Sequence, residues 1–197
     1  FGITCTYVDA RDPANIAAAI QDNTELLFLE SPNSLTFDLQ DLKACAEVAR
    51  DHGVLTCIDN SCATPFFQRA ADFGIDLVVH SGTKYLSGHS DAMGGVVCGP
   101  RHLLEKMFAH EFMALGGLMS PRDASLILRG LRTLHLRVQR SNDSAMLLTE
   151  RLHQHPNVHE LYYPYHPSFP QYELAKRQMK GGGGLFSILL RTDKMEV

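Results

Sequence analysis

The sequence contains no tryptophan, and aromatic residues fill only 8% of its 197 positions. Its five cysteines, Cys5, Cys45, Cys57, Cys62 and Cys98, are odd in number and include no C-x-x-C pair. That excludes a zinc ribbon and a thioredoxin-like motif. Cys45, Cys57 and Cys98 lie in apolar stretches and read as small core residues. Free thiols suit a reducing, cytoplasmic compartment. Basic excess is missing too: 18 Lys and Arg stand against 22 Asp and Glu, a formal charge of −4. The balance offers no nucleic-acid-binding surface, and no block of like charge marks a tail. No apolar run approaches the length of a membrane helix, and no signal-peptide pattern is visible. What remains is ordinary globular composition, 45% hydrophobic and 20% charged. The sequence opens at Phe1 rather than Met, in what reads as a strand edge. We therefore expect a fragment of a longer protein.

Apolar β-branched runs alternate with helical patterns. Residues 25–30, 54–59, 77–81 and 95–99 read as buried strands. Between the first two, residues 39–52 place Leu42, Cys45, Ala46, Val48 and Ala49 near one helical face. A short helix is expected over 66–72. This order predicts an α/β fold, a mostly parallel sheet with helices covering both faces. Such sheets bind ligands at the carboxyl ends of their strands. From residue 101 the pattern turns helical. Residues 102–115 form one segment and 121–155 a longer one, expected to break near Arg140. Ser120 followed by Pro121 is an N-cap signal. Strands are expected at 158–163 and 185–190, around a helix over 171–179. We divide the chain into 1–130, part of a large α/β domain, and 131–197, a connecting helix and the start of a smaller α+β domain. The Gly181–Gly184 run follows a helix and precedes a strand, the reverse of a phosphate loop, and reads as a flexible turn. His153, His155 and His159 do not fall on one helix face and read as a solvated helix end rather than a metal site. Met107–Met119 is Met-rich and reads as core, with an interface as the alternative.

Chemistry concentrates at two predicted strand ends. One strand ends at Asp59, and another runs into Ser81-Gly82-Thr83-Lys84. If the strands are parallel neighbours, both charges emerge at one sheet edge, where each needs a partner or a ligand. Lys43, Lys106, Lys176, Lys180 and Lys194 lie among polar neighbours and read as solvated. Lys84 alone follows an apolar strand within glycines and small hydroxyl residues. That setting can desolvate an ammonium and lower its pKa, as a Schiff-base lysine requires. Ser81 and Thr83 alternate around Gly82, so both hydroxyls can face an anion. The competing interpretation is a buried ion pair of Lys84 with Asp59 or Asp91.

Residues 58–66 (IDNSCATPF) followed by 80–91 (HSGTKYLSGHSD) resemble the paired signature of the Cys/Met-metabolism family of pyridoxal-phosphate (PLP) enzymes. Glu30-Ser31-Pro32, residues 128–132 (LRGLR) and Tyr163-Pro164 resemble further landmarks of that family, in the same order. The resemblance implies the fold-type-I architecture of PLP-dependent transferases. By it, Lys84 resembles the lysine that carries PLP, Asp59 the carboxylate that bonds the pyridine nitrogen, and Ser81 and Thr83 hydroxyls that hold the phosphate. Ser34 stands where most of the family has an asparagine near the cofactor's phenolic oxygen, a variant similar to some bacterial cystathionine β-lyases; Asn33 could rotate in instead. Cys62 stands where many relatives have an aromatic residue, and a small packing role is expected over a reactive thiol.

The resemblance further implies a carbon–sulfur lyase acting on a small sulfur amino acid. Cystathionine β-lyase is the expected activity, with γ-elimination or γ-replacement as the alternative within the family. It also implies a homodimer or homotetramer. Family chains are about twice as long. The family's phosphate-binding glycine turn, ring-stacking tyrosine and carboxylate-gripping arginine are not found among these residues. A non-catalytic assembly module is therefore the alternative of another class.

Overall fold

The computed structural model describes residues 2–191. Lys194 and the opening residue Phe1, on which expectations were placed, lie outside the described residues. Among the described residues, no strand precedes Leu26. The first element is instead a helix, α1 (Pro13–Ala19), whose N-cap Asp12 accepts from the Ala14 N–H, with proline in the first turn. Four strands follow: β1 (Leu26–Glu30), β2 (Leu55–Asp59), β3 (Leu77–Ser81) and β4 (Gly95–Cys98). They form one sheet in the order β1-β2-β3-β4, parallel across the first three, with β4 antiparallel to β3. The mostly parallel α/β expectation holds.

Between β1 and β2 lies α2 (Leu42–Asp51), started by Asp41, which accepts from the Ala44 N–H. Its apolar stripe of Leu42, Cys45 and Ala46 packs on Leu29, Ile58 and Val78. The register aligns Leu29 with Ile58 and Ile58 with Val78, so these residues form one sheet face. A second cluster continues that face, with Phe67 and Leu86 packed against Ile127, Leu134 and Val138. Those last three lie on α6 (Pro121–Leu131) and α7 (Leu134–His153). The opposite face differs from expectation. Leu26, Phe28, Leu55 and Val97 alternate onto it and are exposed, Phe28 at 58%. The described residues supply helices to one face only.

The expected helix over 66–72 is two short pieces, α3 (Thr64–Phe67) and a 3₁₀ turn (Ala70–Phe73). The long helix breaks at Arg132–Thr133, between α6 and α7, not near Arg140. Ser120 caps α6 as expected, accepting from the Asp123 N–H. Residues 101–119 form α4 (Arg101–Met107), a π-type turn and a short α5 (Met113–Leu115). None of these carries a buried residue, so the assignment of Met107–Met119 to the core is corrected. Cys98 is likewise exposed, because it lies on the edge strand β4.

Towards the C-terminus, β5 (Val158–Tyr162) pairs antiparallel with β6 (Ser187–Leu190), with α8 (Tyr172–Gln178) between them. The glycine run before β6 is not a loose turn. Gly181, Gly182 and Gly183 are buried, and a Cβ on Gly182 would meet the Tyr163 ring at 2.7 Å. Glycine there permits close packing. The Tyr163 hydroxyl donates to the Gly183 carbonyl at 3.0 Å. The His153 ring lies 4.6 Å from the His166 ring, tilted by 47°, rather than joining His155 and His159, and no metal-binding group of three forms among the described residues.

Candidate active site

The carboxyl ends of β1, β2 and β3 present Glu30, Asp59 and Ser81. Glu30 pairs in register with Asp59, and Asp59 with Val79, two residues before Ser81. The two-residue period therefore places Glu30, Asp59 and Ser81 on one face at one edge. Local hydrogen bonds fix this edge. The Ser61 N–H donates to Asp59 Oδ1 at 2.8 Å, and the Ser81 N–H donates to Ser61 Oγ at 2.6 Å. The Asn60 N–H donates to the Val79 carbonyl at 2.9 Å. The turn after β2 is thus tied to the end of β3 at both Asn60 and Ser61. Among the described residues, nothing hydrogen-bonds Asp59 Oδ2 or the Ser81 hydroxyl.

A π-type turn, Gly82–Leu86, follows β3, and its backbone leaves helical geometry at Lys84 (φ −88°, ψ −118°). Gly82 and Leu86 turn inward and are buried, whereas Lys84 sits at the crest and is exposed. The expected desolvation of Lys84 by its own chain is therefore not found. Neither is the competing ion pair. Asp91 faces Arg129 at 3.4 Å, and Lys84 has no acidic partner among the described residues. The Thr83 hydroxyl is engaged locally, accepting from the Gly94 N–H at 3.1 Å.

The Cys62 thiol, three residues after Asp59, feels the charges of Glu30, Lys84 and Asp59. Burial, and then the Glu30 carboxylate, push that thiol up to about 11, with Lys84 pulling the opposite way and Asp59 adding to the rise. A thiol so placed is a packing group, as expected, since the thiolate is the reactive form. Ser34 is exposed and donates its hydroxyl to the Glu30 carboxylate. Asn33 does not rotate toward the site. Its Oδ1 accepts from the Thr36 N–H at 3.1 Å and its amide donates to Thr36 Oγ1 at 3.0 Å, closing its own loop. His80 is buried at the end of β3, and its Nδ1 has no hydrogen-bond partner. Burial holds this imidazole below its ordinary range, against the opposing Asp59 charge.

Arg137, which the sequence did not single out, and Gly130, within the 128–132 landmark, hold the lysine turn. The Arg137 guanidinium donates to the carbonyls of Tyr85 (2.8 Å) and Gly130 (2.8 Å), and to Thr133 Oγ1 (3.1 Å). It forms no ion pair among the described residues, so its charge is spent on backbone oxygens at the end of the turn. Gly130 lets α6 lie directly on that turn: a Cβ there would sit 2.3 Å from the Ser87 carbonyl oxygen. No motif logic announces Arg137, because its partners are main-chain carbonyls up to 52 positions away.

Parallel strands presenting an amine, a carboxylate and a hydroxyl at one carboxyl edge define a class: α/β proteins that hold a ligand at strand ends. The family model described as Cys/Met metabolism PLP-dependent enzyme matches residues 1–197, and the chain belongs to that family. It is 43% identical over 193 residues to cystathionine gamma-synthase 1, chloroplastic, of Arabidopsis thaliana, covering 98% of this chain and 34% of that protein. It is 39% identical over 196 residues to cystathionine beta-lyase of Coxiella burnetii, covering 99% and 51%. The crystal structure of cystathionine gamma-lyase from Lactobacillus plantarum complexed with L-serine matches with a TM-score of 0.93 at 38% identity, over 97% of this chain and 50% of that one. The chain thus spans about half the length of these relatives or less. The fold is that of the PLP-dependent enzymes of this family.

Proposed function

We propose that this chain carries the lysine and carboxylate side of a PLP site in a carbon–sulfur lyase, with cystathionine β-lyase as the particular activity. One observation carries the proposal. An ammonium without an ion pair, a carboxylate oxygen without a donor and an unengaged hydroxyl converge at one sheet edge. This donor set fits PLP. Asp59 would hold the ring nitrogen protonated through its open oxygen. Ser81, with Thr83 beside it, would hold the phosphate, and Lys84 would carry the cofactor. Bound PLP supplies an electron sink for the charge that develops at the substrate Cα. The Lys84 amine, as the base beside the cofactor, would take the substrate Cα proton and could return it. The exposure of Lys84 suits that role, since an amine that must reach substrate cannot be walled in by its own turn. For L-cystathionine, cleavage releases homocysteine, and water completes the conversion of the remainder to pyruvate and ammonia.

Ser34 favours the β-lyase over its relatives, by the likeness of the Glu30–Ser34 run to some bacterial β-lyases. A γ-acting enzyme is the second reading, favoured by the 43% identity to a γ-synthase. Pyruvate against 2-oxobutyrate from cystathionine separates the two. We also take 1–130 as part of the cofactor-binding domain and 131–197 as the connecting helix and start of the smaller one. A homodimer or homotetramer would cover the exposed Phe108, Met113 and Leu115.

The decisive variant is Lys84→Ala. It should lose the yellow absorbance of lysine-bound PLP and its keto-acid release. Absorbance and turnover equal to the parent's would overturn the assignment.

A further inference from the structure

Behind the Asp59 edge lies a chain of buried side-chain amides that the lysine chemistry does not use. It starts at the first turn of α2, where the Leu42 N–H donates to Gln178 Oε1 at 3.0 Å. A backbone N–H can only donate, so this contact fixes the orientation of the Gln178 amide. Gln178 Nε2 then donates to Gln68 Oε1 at 3.0 Å and to Ser31 Oγ at 3.3 Å. With its oxygen committed, Gln68 Nε2 donates to the Ser31 carbonyl at 2.6 Å and to Asn60 Oδ1 at 2.9 Å. Asn60 Nδ2 in turn donates to the Gln68 carbonyl at 2.8 Å. Donor-only and acceptor-only backbone groups close both ends, so every amide has one orientation. Gln68 and Asn60 are 1% exposed and Gln178 is 6%.

We propose that Gln178 and Gln68 are positioning residues for the Asp59 carboxylate, acting through Asn60. Ser31 follows Glu30, and Asn60 follows Asp59. By strand alternation the amides therefore grip the sheet edge from the face opposite the carboxylates. Asp59 is bracketed: the amide chain holds the residue after it from behind, and the Ser61 N–H holds its Oδ1 from the front. The contacts span 110 and 147 positions, from α8 to Gln68 and to Ser31. The C-terminal helix thus sets where the cofactor's acid stands. Neutral amides suit the task, since they fix direction without placing a second charge beside Asp59. Removing one leaves buried donors or acceptors unpaired, which is costly away from water.

The inference rests on the PLP reading of Asp59, and its test separates the two. The PLP-loaded protein is titrated by the visible absorbance of lysine-bound PLP, well below its unfolding temperature. Gln178→Leu and Gln68→Met should move the pH midpoint of that band by about half a unit or more, because a displaced acid holds the ring nitrogen less well. Thr149→Val is the control. It deletes a buried hydroxyl bonded within α7 at 2.8 Å, and should lower the melting temperature while leaving the midpoint in place. Should Gln178→Leu fail to fold, Ser31→Ala removes the hydroxyl that accepts from Gln178 Nε2 and from the Gln40 N–H, and should move the midpoint in the same direction. A parent band with unmoved variants overturns this inference alone. A parent with no band overturns the PLP reading and this inference with it.

Discussion

Cys62 shows how strongly a few neighbours set one residue's chemistry. Its thiol, held up to about 11 by burial and Glu30, is ionised in about one molecule in a thousand at pH 8. Burial carries Cys45 up to about 12 and raises Cys57 as well. Cys5 and Cys98 are exposed. Titration of the folded protein with a thiol-disulfide reagent at pH 8 should therefore show two fast thiols, with the other three appearing on denaturation. A third fast thiol assigned to Cys62 by peptide mapping would contradict the packing role. Lys84 teaches the complement. Its glycine and hydroxyl surroundings were legible in sequence because small residues are what a backbone turn beside a bulky ligand requires. Its exposure was not, because which residues of a turn face inward depends on the helices packed beneath.

At the scale of elements, the site depends on how α6 and α7 grip the lysine turn. The backbone of α6 touches the Ser87 carbonyl across Gly130, and Arg137 of α7 reaches the Tyr85 carbonyl. Gly130→Ala must push helix and turn apart, since both clashing groups are backbone. We expect a loss of roughly 1–3 kcal/mol, read as a melting temperature lower by several degrees, together with weaker PLP retention. Gly182→Ala should destabilise through its contact with Tyr163, read as a lower melting temperature. The break between α6 and α7 follows from the same contacts. The Gly130 carbonyl accepts from the Thr133 N–H, the Thr133 hydroxyl and Arg137, and so leaves the regular helical ladder. A periodicity count does not see these contacts and so places the break several residues too late, near Arg140.

Across the whole molecule, two buried imidazoles give stability a pH dependence of definite sign. Burial lowers His80 and His166 from 6.5. His80 is opposed by the Asp59 charge; His166 is lowered further by the neighbouring His153 charge and opposed by Glu150 at 3.6 Å. The unfolded chain therefore takes up these protons first. Their contribution is full above pH 6.5 and is lost as pH falls below it. Thermal unfolding should show a falling midpoint between pH 7 and pH 5, and His166→Gln should flatten that slope. A midpoint flat over this range would contradict the assignment. Whole-molecule packing also explains the sheet's uneven faces. Alternation in β1 and β2 prescribes two apolar faces, and α2, α6 and α7 cover one of them. Among the described residues, none of the helices are long and apolar enough to cross a membrane.

By itself the sequence determined the alternation of strands and helices, the N-cap at Ser120, and the pairing of an acid-ended strand with a Ser-Gly-Thr-Lys turn. These are local properties, set by side-chain period, capping chemistry and small-residue spacing within a few positions. The tertiary structure alone decided that Arg137 clamps the lysine turn, that Gln178 and Gln68 stand behind Asp59, that Gly181–Gly184 is close-packed, and that Lys84 is exposed. Each of these depends on groups dozens of positions apart meeting at one point. Main-chain carbonyls and amides, which every residue carries alike, supply many of the contacts. No pattern of residue types can signal a partner that is the backbone itself.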